Sequence, residues 1–222
     1  MCIRDRAGFT TAQGWGFFNV TETPFWLKVL LSVVLLDLVI YLQHVLVHAV
    51  PALWRLHRVH HADPDYDVTT GSRFHPIEIL LSMLIKFTVI AALGPPVIAV
   101  VIFEVLLNGM AMFNHGNVGL PPRLDRVMRW LLVTPDMHRV HHSVEADETN
   151  SNFGFSLSVW DRLMGTYREQ PRQGHLGMEI GLSNIQDRKR TIHLPGMLMI
   201  PFQPDDADYT INRRGWNKRG PQ

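Results

Sequence analysis

The sequence has almost no cysteine. Cys2 is the only one in 222 residues, which excludes a disulfide framework and a cysteine-based zinc site. Net charge is equally scarce. Twenty-one Lys and Arg against 20 Asp and Glu leave +1, so nothing in the charge balance points to nucleic acid as a partner. The opening MCIRDR carries no apolar stretch, which excludes a cleavable signal peptide at this start. It reads either as an ordinary disordered N-terminus or as translated adapter sequence. In the second case the natural chain starts further upstream and can bring another membrane helix. Flavin, haem and dinucleotide motifs are also absent, so any redox chemistry needs electrons from a separate protein.

Charge is scarcest between residues 25 and 118. The mean hydropathy of +0.03 hides this, because charged residues gather after Pro121. Three apolar runs stand out: 25 to about 50, 77–93 and 97–113. A spanning helix needs about 20 residues at a rise of about 1.5 Å each. The first run meets that, and Pro51 marks its end. The second and third are shorter and are candidates for partly re-entrant segments. Gly94-Pro95-Pro96 between them forces a turn, so they read as a tight helical hairpin. Residues 124–132 read as a short amphipathic helix at the membrane interface, and the tail from about 170 reads as a cytoplasmic cap with irregular structure. A buried soluble bundle is the alternative for the apolar runs.

What is abundant is histidine. There are twelve, and eight fall in three clusters: His44 and His48, then HRVHH at 57–61, then an identical HRVHH at 138–142. Residues three and four apart share one helix face, so each cluster can aim its imidazoles at one point. Neutral imidazole suits iron, zinc, copper and nickel. Eight imidazoles exceed the needs of one ion, and two ions with four or five nitrogens each account for the number. Surface histidines near lipid headgroups are the alternative reading.

The hairpin lies between the two HRVHH copies, so both emerge on the same side of the membrane. Arg55, Arg58 and Arg73 flank the first copy, and Arg123, Arg126, Arg129 and Arg139 the second. The positive-inside rule places that side in the cytoplasm.

On the first run, Asp37, Tyr41, His44 and His48 form one helical stripe facing a bundle interior. Asp37 is expected to accept a hydrogen bond from Tyr41, to orient a ligand imidazole, or to bond between helices. On the third run, Glu104, Asn108 and His115 repeat the pattern, and His115 is expected as a ninth ligand. Asn114 and Asn117 are expected to satisfy backbone groups at the helix exit. His75, just before Pro76, is expected to cap or pack.

HVLVH at 44–48 and the two HRVHH segments resemble the three histidine boxes of the fatty acid hydroxylase superfamily, which includes sterol desaturases. NHGNV at 114–118, NFG at 152–154 and WDRLMGTY at 160–167 are similar to further segments of that family. The resemblance covers residues 37–167. It implies an all-α integral membrane helical bundle with a cytoplasmic histidine-rich di-metal cap. The implied ligands are His44, His48, His57, His60, His61, His138, His141 and His142. The implied cofactors are two iron ions, with zinc possible in purified protein, and O2 as co-substrate. Family members often carry a charged residue flanking the first box; Ala49 stands there in this chain. Trp160 and Asp161 are expected to tie the cap to the bundle, with Asp161 as partner of a ligand histidine the other reading.

The sequence therefore leads to three segments: 1–24, an N-terminal piece; 25–169, the membrane helices and di-metal catalytic domain; and 170–222, a cytoplasmic tail. The expected activity is O2-dependent hydroxylation or desaturation of a lipid drawn from the bilayer. Electrons are expected from a separate donor, a ferredoxin or a cytochrome b5-like protein. Carotenoid hydroxylation is an alternative within the enzyme class. A non-enzymatic metal-binding or transport protein is the alternative outside it, but transport needs a polar path across the whole membrane. No acid–base residue separates from the ligands.

Overall fold

A computed structural model describes residues 2–204 and 209–211. Among them the chain is helical, with only isolated β-bridges. The elements that position the site are α1 (Ile3–Ala12), α2 (Phe25–Ala49), α3 (Pro51–His61), α4 (Pro76–Leu93), α5 (Val97–Asn114), α6 (Pro122–Met128), α7 (Pro135–His141), α8 (Ala146–Thr149) and α9 (Val159–Met164).

Helices α2, α4 and α5 are each long and apolar enough to cross a membrane. Their outer faces carry exposed Leu30, Leu42, Leu80, Leu84, Val105 and Met112. A soluble bundle would bury such faces, because exposed apolar area of this extent costs about 25 cal/mol per Å² in water. Proline and glycine set the boundaries. Pro51 occupies the first turn of α3, where its missing N–H costs nothing. It breaks the chain direction so that α2 and α3 meet at an angle. His75 caps α4 by accepting from the Ile77 N–H at 3.3 Å, and Pro76 follows. Gly94 ends α4 in the left-handed region at φ 60°, the cap that glycine adopts without steric cost.

Two features depart from the sequence reading, and a third adds detail to it. First, α4 and α5 hardly touch each other, so the hairpin is not tight. α1 packs against both, and Ile3 and Ala7 join Leu36, Ile40, Ile90, Val100 and Phe103 in one core. The N-terminal stretch is thus helical and packed, because its apolar residues fill the gap that the wide hairpin leaves. Second, α6 ends at Met128 rather than near 132. A turn follows, leaving Leu124, Val127, Trp130 and Leu131 exposed. Third, the tail folds back onto α3. Arg55 donates to the Pro201 and Gln203 carbonyls at 2.7 and 2.8 Å. Arg58 donates to those of Ile200 and Gln203 at 2.5 and 2.7 Å. Ile200 and Tyr209 join Trp54 in a second core.

Candidate metal centre

Two turns of chain chemistry bring the histidines together. α2 presents His44 and His48 on its last turns, and the break at Pro51 swings α3 across their end. α7 begins at Thr134, whose hydroxyl caps the Met137 N–H at 3.4 Å and donates to Asp125 at 2.6 Å. That fixed start aims the second HRVHH at the first. The nine histidines singled out from spacing fall into two groups. His44, His48, His57, His61 and His141 form one; His60, His115, His138 and His142 form the other. Within each group one nitrogen per ring lies within 4.8 Å of all the others. An ion with nitrogen ligands at about 2.1 Å spaces opposite ligands roughly 4 Å apart, so each group suits one ion after small side-chain adjustment. All nine rings are at most 7% exposed.

The hydrogen bonds show which nitrogen faces inward. On six rings Nδ1 is turned outward to a partner. His44 meets the Phe153 carbonyl at 2.8 Å, His60 that of Thr70 at 3.0 Å, His115 that of Ala111 at 2.7 Å and His141 that of Ser151 at 2.7 Å. His57 meets Glu78 Oε1 at 2.6 Å and His48 meets Asn150 Oδ1 at 3.2 Å. A carbonyl or carboxylate accepts only, so each such bond puts the ring proton on Nδ1 and a lone pair on Nε2. The Nε2 atoms of His44, His48, His57 and His141 are then buried without a partner, as are both nitrogens of His61 and His142. Each buried polar atom left unsatisfied costs about 1–3 kcal/mol. So many converging lone pairs fit bound metal and little else.

Burial also keeps six of the rings neutral. It holds His141 down to about 3 and His115 to about 4, and it puts His60, His61, His138 and His142 well below the ordinary histidine value. Mutual repulsion among the rings adds to the effect. Neutral imidazole is the ligating form.

The supporting residues differ in part from expectation. Asp37 does not pair with Tyr41. It accepts from the Trp160 indole N–H at 2.8 Å and the Leu157 N–H at 3.3 Å, which ties α9 to the middle of α2. Tyr41 instead donates to the Thr166 hydroxyl at 2.9 Å, and Thr166 donates to Asp161 at 2.7 Å. The two oxygens of Asp161 accept from the Phe153 and Gly154 N–H groups at 2.7 and 2.8 Å. Burial, opposed by these bonds, pushes its carboxyl up to about 6. Because His44 bonds to the Phe153 carbonyl, Asp161 supports that ring through one peptide. Asn114 donates to the Phe155 carbonyl at 2.7 Å, a backbone group of the cap rather than of its own helix exit. Asn108 is exposed and donates to the carbonyl of Glu104 at 2.7 Å, so that stripe reaches the histidines only through His115.

Glu78 was missed as a site residue. It is the one charge at the histidine end of α4, and that position was the available signal. Asp63 is a further support. It pairs with Arg73 at 3.1 Å and accepts from Thr70 at 2.6 Å, steadying the loop whose carbonyl holds His60.

A cavity of about 360 Å³ opens against His44, His57 and His60 between α2, α4 and α5. Its walls include Ile40, Val47, Phe74, Leu107 and Phe155, an apolar lining of the kind and size that takes a small organic ligand.

A family model described as fatty acid hydroxylase matches residues 29–166. Ornithine lipid hydroxylase OlsE of Rhizobium tropici is 31% identical over 152 residues, covering 68% of this chain and 45% of that protein. Alkylglycerol monooxygenase of Xenopus tropicalis is 30% identical over 158 residues, covering 69% and 34%. Cholesterol 25-hydroxylase of Rattus norvegicus is 26% identical over 171 residues, covering 75% and 55%. The chain thus spans about a third to a half of the length of these relatives. No solved structure matches it.

Proposed function

The chain belongs to the fatty acid hydroxylase family, and from that premise we propose that it is a membrane-embedded oxygenase that hydroxylates a lipid. The observation that carries this reading is the pair of buried imidazole groups, six of whose nine rings turn an Nε2 lone pair inward, beside a largely apolar cavity. The nine histidines would hold two iron ions, five nitrogens to one and four to the other. Iron bound there supplies the oxidising power that an unactivated C–H bond demands and that side chains lack.

The chain's own residues do the rest. The Phe153, Thr70 and Ser151 carbonyls and Glu78 hold the ring protons outward and fix each imidazole's aim. Phe74, stacked on His60 at 4.7 Å, and Phe153, beside His44, keep water from the rings. The cavity presents the lipid to His44, His57 and His60 from within the bilayer. In the overall reaction a C–H bond becomes C–OH, and the second atom of O2 leaves as water. That consumes two electrons and two protons, which a separate ferredoxin or cytochrome b5-like donor must supply. Loss of a second hydrogen instead of oxygen insertion would give desaturation. Residues 25–169 would carry this centre, with 170–222 as a cap, and the positive-inside rule puts the centre on the cytoplasmic face.

The direct test is isotopic. Cells expressing the chain are grown under 18O2, and their lipids are compared by mass spectrometry with those of cells expressing His60→Ala. The proposal expects a lipid that gains one 18O atom only with the wild-type chain. No 18O-labelled lipid with iron-loaded wild-type protein would overturn it.

A further inference from the structure

Lysine is costly in the middle of a membrane helix, and a structure usually reveals what it is there for. The apolar helices carry two lysines. Lys28, near the start of α2, is tied down: its ammonium donates to the Phe18 carbonyl and, at 3.0 Å, to that of Thr21. Lys86 lies well inside α4 and lines the cavity. Among the described residues it makes no hydrogen bond or ion pair, although Glu104 acts on it electrostatically. Glu78, Ser82 and Lys86 follow at four-residue intervals, so one face of α4 lines the cavity. Glu78 meets His57 at the histidine end of this stripe. Lys86 is two turns deeper, about 12 Å along the helix axis. Asn108 of α5 faces the same cavity. Its deep half therefore combines a cation with amide and hydroxyl groups, whereas a wholly hydrocarbon occupant would need none of them.

We propose that Lys86 binds an anionic oxygen group of the lipid, a carboxylate in the simplest case, and so sets which carbon reaches the histidines. This rests on the reading of the cavity as a lipid site. With the acid held near Lys86, the oxidised carbon lies well along the chain and not beside the carboxylate. Ser82 and Asn108 supply further hydrogen bonds to the group.

Binding tests this separately from catalysis. Purified full-length protein in nanodiscs of neutral phosphatidylcholine is titrated with stearate, methyl stearate and stearyl alcohol. Stearate should bind about tenfold or more tighter than the two neutral probes, as expected for a hydrogen bond to a charged partner. Lys86→Met should abolish that preference and Lys86→Arg should keep it, while metal content stays at the wild-type value in both. Equal binding of the three probes to the wild type, or a preference that survives Lys86→Met, would overturn the inference. A wild-type protein that shows no stearate preference yet incorporates 18O overturns this proposal alone. Absent 18O incorporation with the preference intact overturns the oxygenase reading alone.

Discussion

Glu78 and Gly154 act on the site through single contacts, and each allows a sharp expectation. The Glu78 carboxylate accepts from His57 at 2.6 Å with both groups buried. Outer partners of this kind are worth about 10- to 100-fold in metal affinity. Glu78→Gln should therefore weaken one ion by that range in a chelator competition and leave the other unchanged. Gly154 is constrained by proximity: a Cβ there would sit 2.6 Å from Asp161 Oδ2 and 3.0 Å from the Leu157 carbonyl. Gly154→Ala should push the Asp161 carboxylate away from the peptide whose carbonyl His44 uses. Overpacking of this kind costs about 1–3 kcal/mol, measurable as a lower thermal midpoint. Histidine spacing made the nine rings legible in the sequence, because period and residue type are both visible there. Four of their six outward partners are backbone carbonyls, which residue identity cannot reveal. Glu78 is a side chain, but its helix had to be placed against α3 before its role appeared.

At the level of elements, the turn between α4 and α5 governs the shape of the cavity. Gly94 is left-handed at φ 60°, and a Cβ there would collide with the Trp15 carbonyl and the Asn19 side chain. Gly94→Ala should cost about 1–3 kcal/mol through the strained backbone, and should loosen the seat of the N-terminal segment. Limited proteolysis ought to find residues near Trp15 more accessible in the variant. The existence of the three apolar helices was readable from length and composition. Their separation was not, since Gly-Pro-Pro announces a turn without specifying how far the helices diverge. That distance depends on Ile3 and Ala7 of α1 filling the gap, a long-range contact with no local pattern. The tail was equally opaque: Arg55 and Arg58 looked like topology signals, yet each also binds carbonyls of residues 200–203.

For the whole molecule, packing nine imidazoles out of water links stability to pH. The folded chain holds His141 at about 3 and His115 at about 4, whereas an unfolded chain protonates histidine near pH 6.5. Between about pH 4 and 6.5 the unfolded state therefore binds more protons, and folding weakens as pH falls through that window. Metal-stripped protein should lose thermal stability steadily from pH 7 to pH 4.5, and bound metal should blunt the loss. A flat profile would mean the rings are not held neutral by burial.

The central claim is that the two imidazole groups are two separate ion sites. Elemental analysis of detergent-purified protein loaded anaerobically with ferrous iron tests it most directly. Two irons per chain are expected, with one lost from His48→Ala and one lost from His138→Ala, since these residues belong to different groups. A single iron in the wild-type chain, or a content indifferent to both substitutions, would contradict it.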